Sequence, residues 1–394
     1  MVERNKNFSR LKAGYLFPEI AKRRKTLAEK EPTANIISLG IGNTTEPLTT
    51  TICNGLTQAT KKLATLQGYT GYGDEQGLPE LRSAIAEKLY NNLVSPEEIT
   101  ISDGSKCDIG RLQVLFGAQA TVAVQDPAYP VYVDGSIIIG ADANLAYMPC
   151  SPENNFFPDL SKTPRTDLIY FCSPNNPTGA VATKEQLLQL VQFAQKNKSI
   201  IIFDAAYSSF ITDPALPRSI FEIEGAKSVA IEVNSFSKSI GFTGVRLGWC
   251  IVPKELTFAD GTPVLKDWIR VITTLFNGAS NVTQPGGIAA LTDIGLKETK
   301  ELIGYYQANA KIIKTGLNTL GIATFGGINA PYIWAHFPGK QSWDVFEKIL
   351  NEAKVVTTPG AGFGPAGESF IRFSSFGHRE NVLEAMERIA QIKF

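Results

Sequence analysis

Residues Ser235 to Gly248 gather short hydroxyls, Lys238 and Arg246 on one glycine-punctuated loop between two β-branched runs. A guanidinium is a planar fork and a serine hydroxyl a directional donor, so Ser235, Ser237 and Arg246 together suit a phosphate dianion. Lys238 needs a different explanation. Held inside a site beside another cation, an ammonium gives up its proton more readily and leaves an amine able to form a Schiff base with an aldehyde. A basic surface loop would account equally well for Ser-x-Ser-Lys in isolation.

Three further signals weigh against that bland alternative. Asp204 closes the apolar run Ile200–Phe203 and is followed by Tyr207. A carboxylate at the C-terminal end of a parallel strand lies on the ligand side of such sheets, where it can pair with a pyridinium nitrogen while Tyr207 donates to a phenolate oxygen. A solvated strand-end acid is the alternative. Asn175-Asn176-Pro177-Thr178-Gly179 follows the run Leu168–Phe171. It places an amide at the same edge, although turn formation alone would select these residue types. Asp103-Gly104-Ser105-Lys106 lies between a predicted strand and a predicted helix, where unpaired N–H groups and the helix dipole favour a phosphate. No G-x-x-x-x-G-K-[ST] or G-x-G-x-x-G run supports a P-loop or dinucleotide site. Gly360-Ala361-Gly362-Phe363-Gly364 reads as a flexible loop.

The elements that must position these groups follow from periodicity. Predicted strands are Ile99–Ser102, Thr121–Val124, Leu168–Phe171, Ile200–Phe203, Val229–Val233 and Leu247–Val252. Predicted helices include Leu78–Asn91, Lys106–Phe116, Lys184–Lys196 and Val264–Phe276. This alternation points to an α/β unit with a mostly parallel sheet sandwiched by helices. A long helix over roughly Ile288 to Leu317, short strands near Tyr332–Phe337 and Phe370–Phe373, and a last helix Arg379–Ile392 read as a smaller α+β unit. The expected organisation is an N-terminal arm at 1–45 that packs with the small unit, a large unit at 46–284 and the small unit at 285–394.

Composition narrows the function classes. The 394 residues carry 38 Lys+Arg against 38 Asp+Glu, so no overall positive field draws the chain to nucleic acid or an anionic membrane. With 43% apolar and 19% charged residues, it can bury a substantial core. The five cysteines are scattered without a C-x-x-C pair, and the two histidines, His336 and His378, sit in no metal-binding or triad pattern. No disulfide framework or metal is expected. A cytoplasmic location is expected too, since no stretch approaches a membrane span and no export signal is visible.

A phosphate, an aldehyde, a pyridinium and a phenolate coexist in one cofactor, pyridoxal 5'-phosphate. The order Asn176-Pro177-x-Gly179, Asp204-x-x-Tyr207, Ser235-x-Ser237-Lys238 and Arg246 resembles the class I/II aminotransferases of fold type I over essentially the whole chain. That resemblance implies roles residue by residue. Lys238 would hold the cofactor and move the Cα proton, Asp204 would keep the ring nitrogen protonated, and Asn176 and Tyr207 would hold the ring oxygen. Tyr129 would cover the ring face. The phosphate would lie among Ser105, Lys106, Ser235, Ser237 and Arg246, with Tyr72 reaching it from the partner chain of a homodimer.

The same resemblance implies that Arg372 takes a substrate α-carboxylate, a surface arginine on an edge strand being the alternative, and that Tyr15, Gly42 and Asn277 are further substrate contacts. Tyr72, Lys106, Tyr129 and Asn176 would touch substrate as well as cofactor. Gly71-Tyr72-Gly73-Asp74-Glu75-Gln76-Gly77, Gly104-Ser105-Lys106-Cys107-Asp108-Ile109 and Gly14-Tyr15-Leu16-Phe17 are similar to the members that act on LL-2,6-diaminopimelate. Those members pair it with 2-oxoglutarate. Glu75 would then attract the distal ammonium of the diamino diacid, unless its acidity merely solvates a helix surface. Rival readings are an aspartate or aromatic aminotransferase, a carbon–sulfur β-lyase on the same fold, and a cofactor-binding regulator. The last would need a DNA-binding unit, for which the chain has neither a basic recognition helix nor spare length.

Overall fold

Runs such as Ile200–Asp204 carry apolar side chains on both faces of the strand, which only a sheet covered on both sides can bury. The computed structural model, which describes residues 1–11 and 16–394, places them there. After a two-residue strand β1 (Ile37–Ser38), the strands of the main sheet are β2 (Ile99–Ser102), β3 (Val122–Asp126), β4 (Leu145–Pro149), β5 (Leu168–Cys172), β6 (Ile200–Asp204), β7 (Ala230–Ser235) and β8 (Gly248–Ile251). They lie in the order β2-β8-β7-β6-β5-β3-β4, and only β8 runs antiparallel to its neighbours.

Side-chain alternation divides each strand between two layers. Ile169, Phe171, Ile201 and Phe203 pack with Leu81, Ile85, Leu187 and Leu190 of the helices Pro79–Tyr90 and Lys184–Asn197. Leu168, Tyr170 and Ile202 face Ile109, Leu112 and Trp268 of the helices Ser105–Phe116 and Val264–Leu275. Burying each large apolar side chain is worth about 1.5–3 kcal/mol, enough to hold the parallel strands in register. Register matters here because it aligns the strand ends, with Cys172 opposite Asp204 and Asp204 opposite Val233.

A second sheet is formed by β9 (Thr324–Gly326), β10 (Tyr332–His336), β12 (Thr358–Pro359) and β13 (Phe370–Ser374), antiparallel in the order β12-β13-β10-β9, while β11 (Val355–Val356) pairs with β1. Helices Leu16–Lys30, Asp293–Thr319 and Arg379–Ile389 contribute Leu16, Ile20, Ile313, Leu317, Val382 and Ile389 to its core.

Two expectations change. The single long helix is two, Thr283–Ala290 and Asp293–Thr319, because the Thr292 side chain accepts from Gly295 N–H at 3.1 Å and starts a new helix. The segment Gly360–Gly364 is a closely packed turn, not a flexible loop: Phe363 is buried and its carbonyl accepts from Ala128 N–H at 2.9 Å. Gly364, at φ +132°, lets the chain pass against Asp126, where a Cβ would collide. The turn thereby braces the segment that carries Tyr129.

Candidate active site

The carboxyl ends of β5, β6 and β7 converge with β10 and β13 of the smaller sheet on one cavity of about 340 Å³. Lys238 lies in the short helix Phe236–Ser239 directly after β7. Its Nζ donates to Gly42 O, and the residue is half-buried; desolvation of the ammonium, followed by the charges of Arg372, Arg246 and Lys106, lowers its pKa to about 8. The amine is therefore available near neutral pH, as a nucleophile toward an aldehyde requires.

Asp204 closes β6, is 5% exposed, and accepts from Tyr132 OH at 2.8 Å and Ala206 N–H at 3.1 Å. Burial raises its pKa against those two neutral donors. A buried carboxylate held only by neutral donors favours a cationic N–H in the cavity it lines. Tyr207, just beyond the strand end, lines the same cavity, as does Asn176 on the loop after β5.

An anion cradle occupies another side. Gly104 precedes the helix Ser105–Phe116, and its N–H donates to Ser102 Oγ at 3.2 Å, while that hydroxyl donates to buried Asp108 at 2.5 Å. Ser235 Oγ lies 2.8 Å from Ser237 Oγ, and Arg246 Nη1 donates to Ser237 Oγ at 3.2 Å. At φ +123°, Gly104 admits the Arg246 guanidinium to within 2.5 Å of where a Cβ would sit. Helix N–H groups, two serines and an arginine thus converge as a phosphate would need.

Arg372, on β13, is 1% exposed, with Nη1 donating to Asn176 Oδ1 at 2.5 Å and Nη2 to Gly40 O at 2.5 Å. These partners are neutral, and Nε is buried without one. The alternative of a surface arginine is thereby removed. A buried guanidinium of this kind is matched to a carboxylate.

The structure therefore brings Gly42, Ser105, Lys106, Tyr129, Asn176, Asp204, Tyr207, Ser235, Ser237, Lys238, Arg246 and Arg372 around one cavity. Tyr72, Glu75 and Asn277 do not line it. All three are exposed, and Gly278, next to Asn277, lies against Asp74 and Glu75. Tyr15 lies outside the described residues. Sequence reasoning missed Tyr132 and Tyr332, both buried and both lining the cavity. The signal for Tyr332 was its alternation with Trp334, the residue opposite Arg372 in the β10–β13 pairing.

Residues 34–389 match the family described as aminotransferase class I and II. The chain belongs to this family. Class I and II aminotransferases use pyridoxal 5'-phosphate, and the residues around the cavity fit it: an anion cradle, a buried acid and an amine of lowered pKa. The aminotransferase is 55% identical over 402 residues to a protein of Arabidopsis thaliana named LL-diaminopimelate aminotransferase, chloroplastic, covering 99% of this chain and 87% of that one. It is 54% identical over 399 residues to the LL-diaminopimelate aminotransferase of Protochlamydia amoebophila, covering 99% and 97%. The solved L,L-diaminopimelate aminotransferase of Chlamydomonas reinhardtii superposes with a TM-score of 0.96 at 57% identity, covering 98% of each chain.

Proposed function

We propose that this aminotransferase moves an amino group from LL-2,6-diaminopimelate to 2-oxoglutarate, reversibly, giving glutamate and a keto acid that cyclises to tetrahydrodipicolinate, a step of lysine biosynthesis. The observation that carries the reading is 54–57% identity, over nearly the full length, to proteins named for that substrate.

When bound, pyridoxal phosphate supplies an aldehyde onto which the amino group exchanges and a protonated ring that accepts the electron pair left at Cα. In our reading Ser105, Lys106, Ser235, Ser237 and Arg246 hold its phosphate, Asp204 its ring nitrogen, Asn176 and Tyr207 its ring oxygen, and Tyr129 its face. Lys238 Nζ holds the aldehyde and, once displaced, carries the proton from the substrate Cα. Arg372 takes the α-carboxylate, and Gly42 lines the approach. Lys106 and Tyr129 also border the substrate.

Tyr72, Glu75 and Asn277 are assigned to the site of a partner chain in a homodimer, Tyr72 at the phosphate and the other two at the distal end of the substrate, joined there by Tyr15. Exposed Leu66, Tyr69, Tyr72 and Leu275 on the same part of the surface support burial against a second copy. There Glu75 attracts the distal ammonium of diaminopimelate, and Lys106 with bound water accommodates 2-oxoglutarate. We place the enzyme in the cytoplasm. All five cysteines are unpaired, which suits a reducing compartment, and no helix among the described residues is long and apolar enough to cross a membrane. Since the Arabidopsis relative is named chloroplastic, cell fractionation tests the location.

The test of the substrate is direct. Purified enzyme given LL-diaminopimelate and 2-oxoglutarate should release glutamate. Absence of turnover, with brisk activity on aspartate or an aromatic amino acid, would overturn the substrate while leaving the cofactor assignment intact.

A further inference from the structure

Tyr332 lies outside every motif that pointed to the site, yet its hydroxyl is 2.8 Å from that of Tyr207 and the two rings meet edge to face at 5.1 Å and 71°. Tyr332 is 1% exposed. It sits on β10 two residues before Trp334, which is opposite Arg372, so it is the arginine's diagonal neighbour on one sheet face. The guanidinium carbon accordingly stands 4.3 Å from the Tyr332 ring centroid. The hydroxyl also approaches Gly42 so closely that a Cβ there would overlap it.

Between two protonated phenols lies one shared proton, because each oxygen can donate only once. Burial raises both phenols above the ordinary tyrosine range, Tyr207 most strongly, so both keep their protons at neutral pH. If Tyr207 donates into the cavity, Tyr332 must be the donor within the pair. A phenol that accepts one hydrogen bond donates a stronger second one, and the Arg372 charge over the Tyr332 ring sharpens the first donor.

We propose that Tyr332 is a positioning residue for the reaction: it donates to Tyr207, directs the Tyr207 proton onto the ring oxygen of the cofactor, and couples that bond to the carboxylate-binding Arg372. This rests on the cofactor placement proposed above. The charged and titratable groups around the pair are Arg372, Lys238, Asp204 and Cys172. None of them is altered in the test variants.

The experiment is a pH titration of the visible absorbance of the holoenzyme for the wild type, Tyr332→Phe, Tyr207→Phe and the double variant. Without the Tyr332 hydroxyl, Tyr207 neutralises the ring oxygen less, and the proton on the Lys238 nitrogen beside it is held more tightly. The Tyr332→Phe midpoint should therefore rise, by about 0.4–1 pH unit for the loss of one hydrogen bond. Adding Tyr332→Phe to Tyr207→Phe should produce no further shift. A Tyr332→Phe enzyme that loads normally and titrates with the wild-type midpoint would overturn the proposal, as would an equal second shift in the double variant. A wild-type chain that takes up no pyridoxal phosphate would instead remove the cofactor placement itself, and the coupling with it.

Discussion

Arg372 Nη1 donates to Asn176 Oδ1 at 2.5 Å, joining a strand of the smaller sheet to a loop of the larger one across the cavity. Asn176 is in turn 4% exposed on a segment fixed by Asn175, whose amide donates to Pro127 O at 3.1 Å. Both Nη groups are therefore held by neutral oxygens, while Nε is buried without a partner. In the role proposed for Arg372, its contact with Asn176 couples carboxylate binding to the relative placement of the two sheets.

Arg372→Lys should consequently behave as a loss of function although charge is kept. An ammonium cannot hold Asn176, Gly40 and a carboxylate in one plane. We expect KM for the amino donor to rise by about tenfold or more with cofactor loading unchanged, the cost of a charged hydrogen bond to substrate. Steady-state kinetics and absorbance on the same preparation check it; a colourless variant would show that the arginine supports the cofactor instead.

Lys238 sets a pH dependence. Because burial and the neighbouring cations lower its pKa to about 8, its amine is charged below that value and free above it, whereas an ordinary lysine stays charged to above pH 10. The rate at which apoenzyme recombines with pyridoxal phosphate should climb about tenfold per unit up to pH 7.5 and level off beyond pH 8.5. Stopped-flow absorbance measures it. A rate still climbing at that slope at pH 9.5 would mean an unperturbed amine. Lys238→Ala should lack both turnover and the visible band.

Glu75→Gln should raise KM for diaminopimelate more than for glutamate, because only the former carries a distal ammonium for the carboxylate to attract. Equal losses for both amino donors would deny Glu75 a part in selectivity.

A shared site can be tested by mixing two defective chains. If Tyr72 serves the partner's cavity, Lys238→Ala and Tyr72→Ala chains refolded together form a mixed dimer with one intact site, and activity returns. If Tyr72 serves its own cavity, mixing recovers nothing.

Phe203, on β6 one residue before Asp204, is fully buried and stacks on Phe171 at 6.3 Å. Phe203→Ala should cost about 3–5 kcal/mol of stability by opening a cavity in the core. Urea unfolding followed by circular dichroism measures it, and a loss below 1 kcal/mol would mean that the layer repacks freely.

The amino-acid sequence by itself determined the chemistry set and the strands that carry it. Ile99–Ser102 matches its predicted span, and the strands leading to Asn176, Asp204 and Lys238 lie within two residues of theirs, because fully buried strands are written as uninterrupted apolar runs and their loops as glycine, serine and asparagine. Local pattern says which side chains share a face. It does not say what stands opposite: the Tyr332–Tyr207 pair, 125 residues apart in sequence, was decided only when the two sheets met, and the Tyr132–Asp204 pair, 72 apart, only when the helix Val131–Ile139 packed on the main sheet. The close packing of Gly360–Gly364 was hidden for the same reason: a run of glycines permits both freedom and close approach, and tertiary contact with Asp126 selects the second.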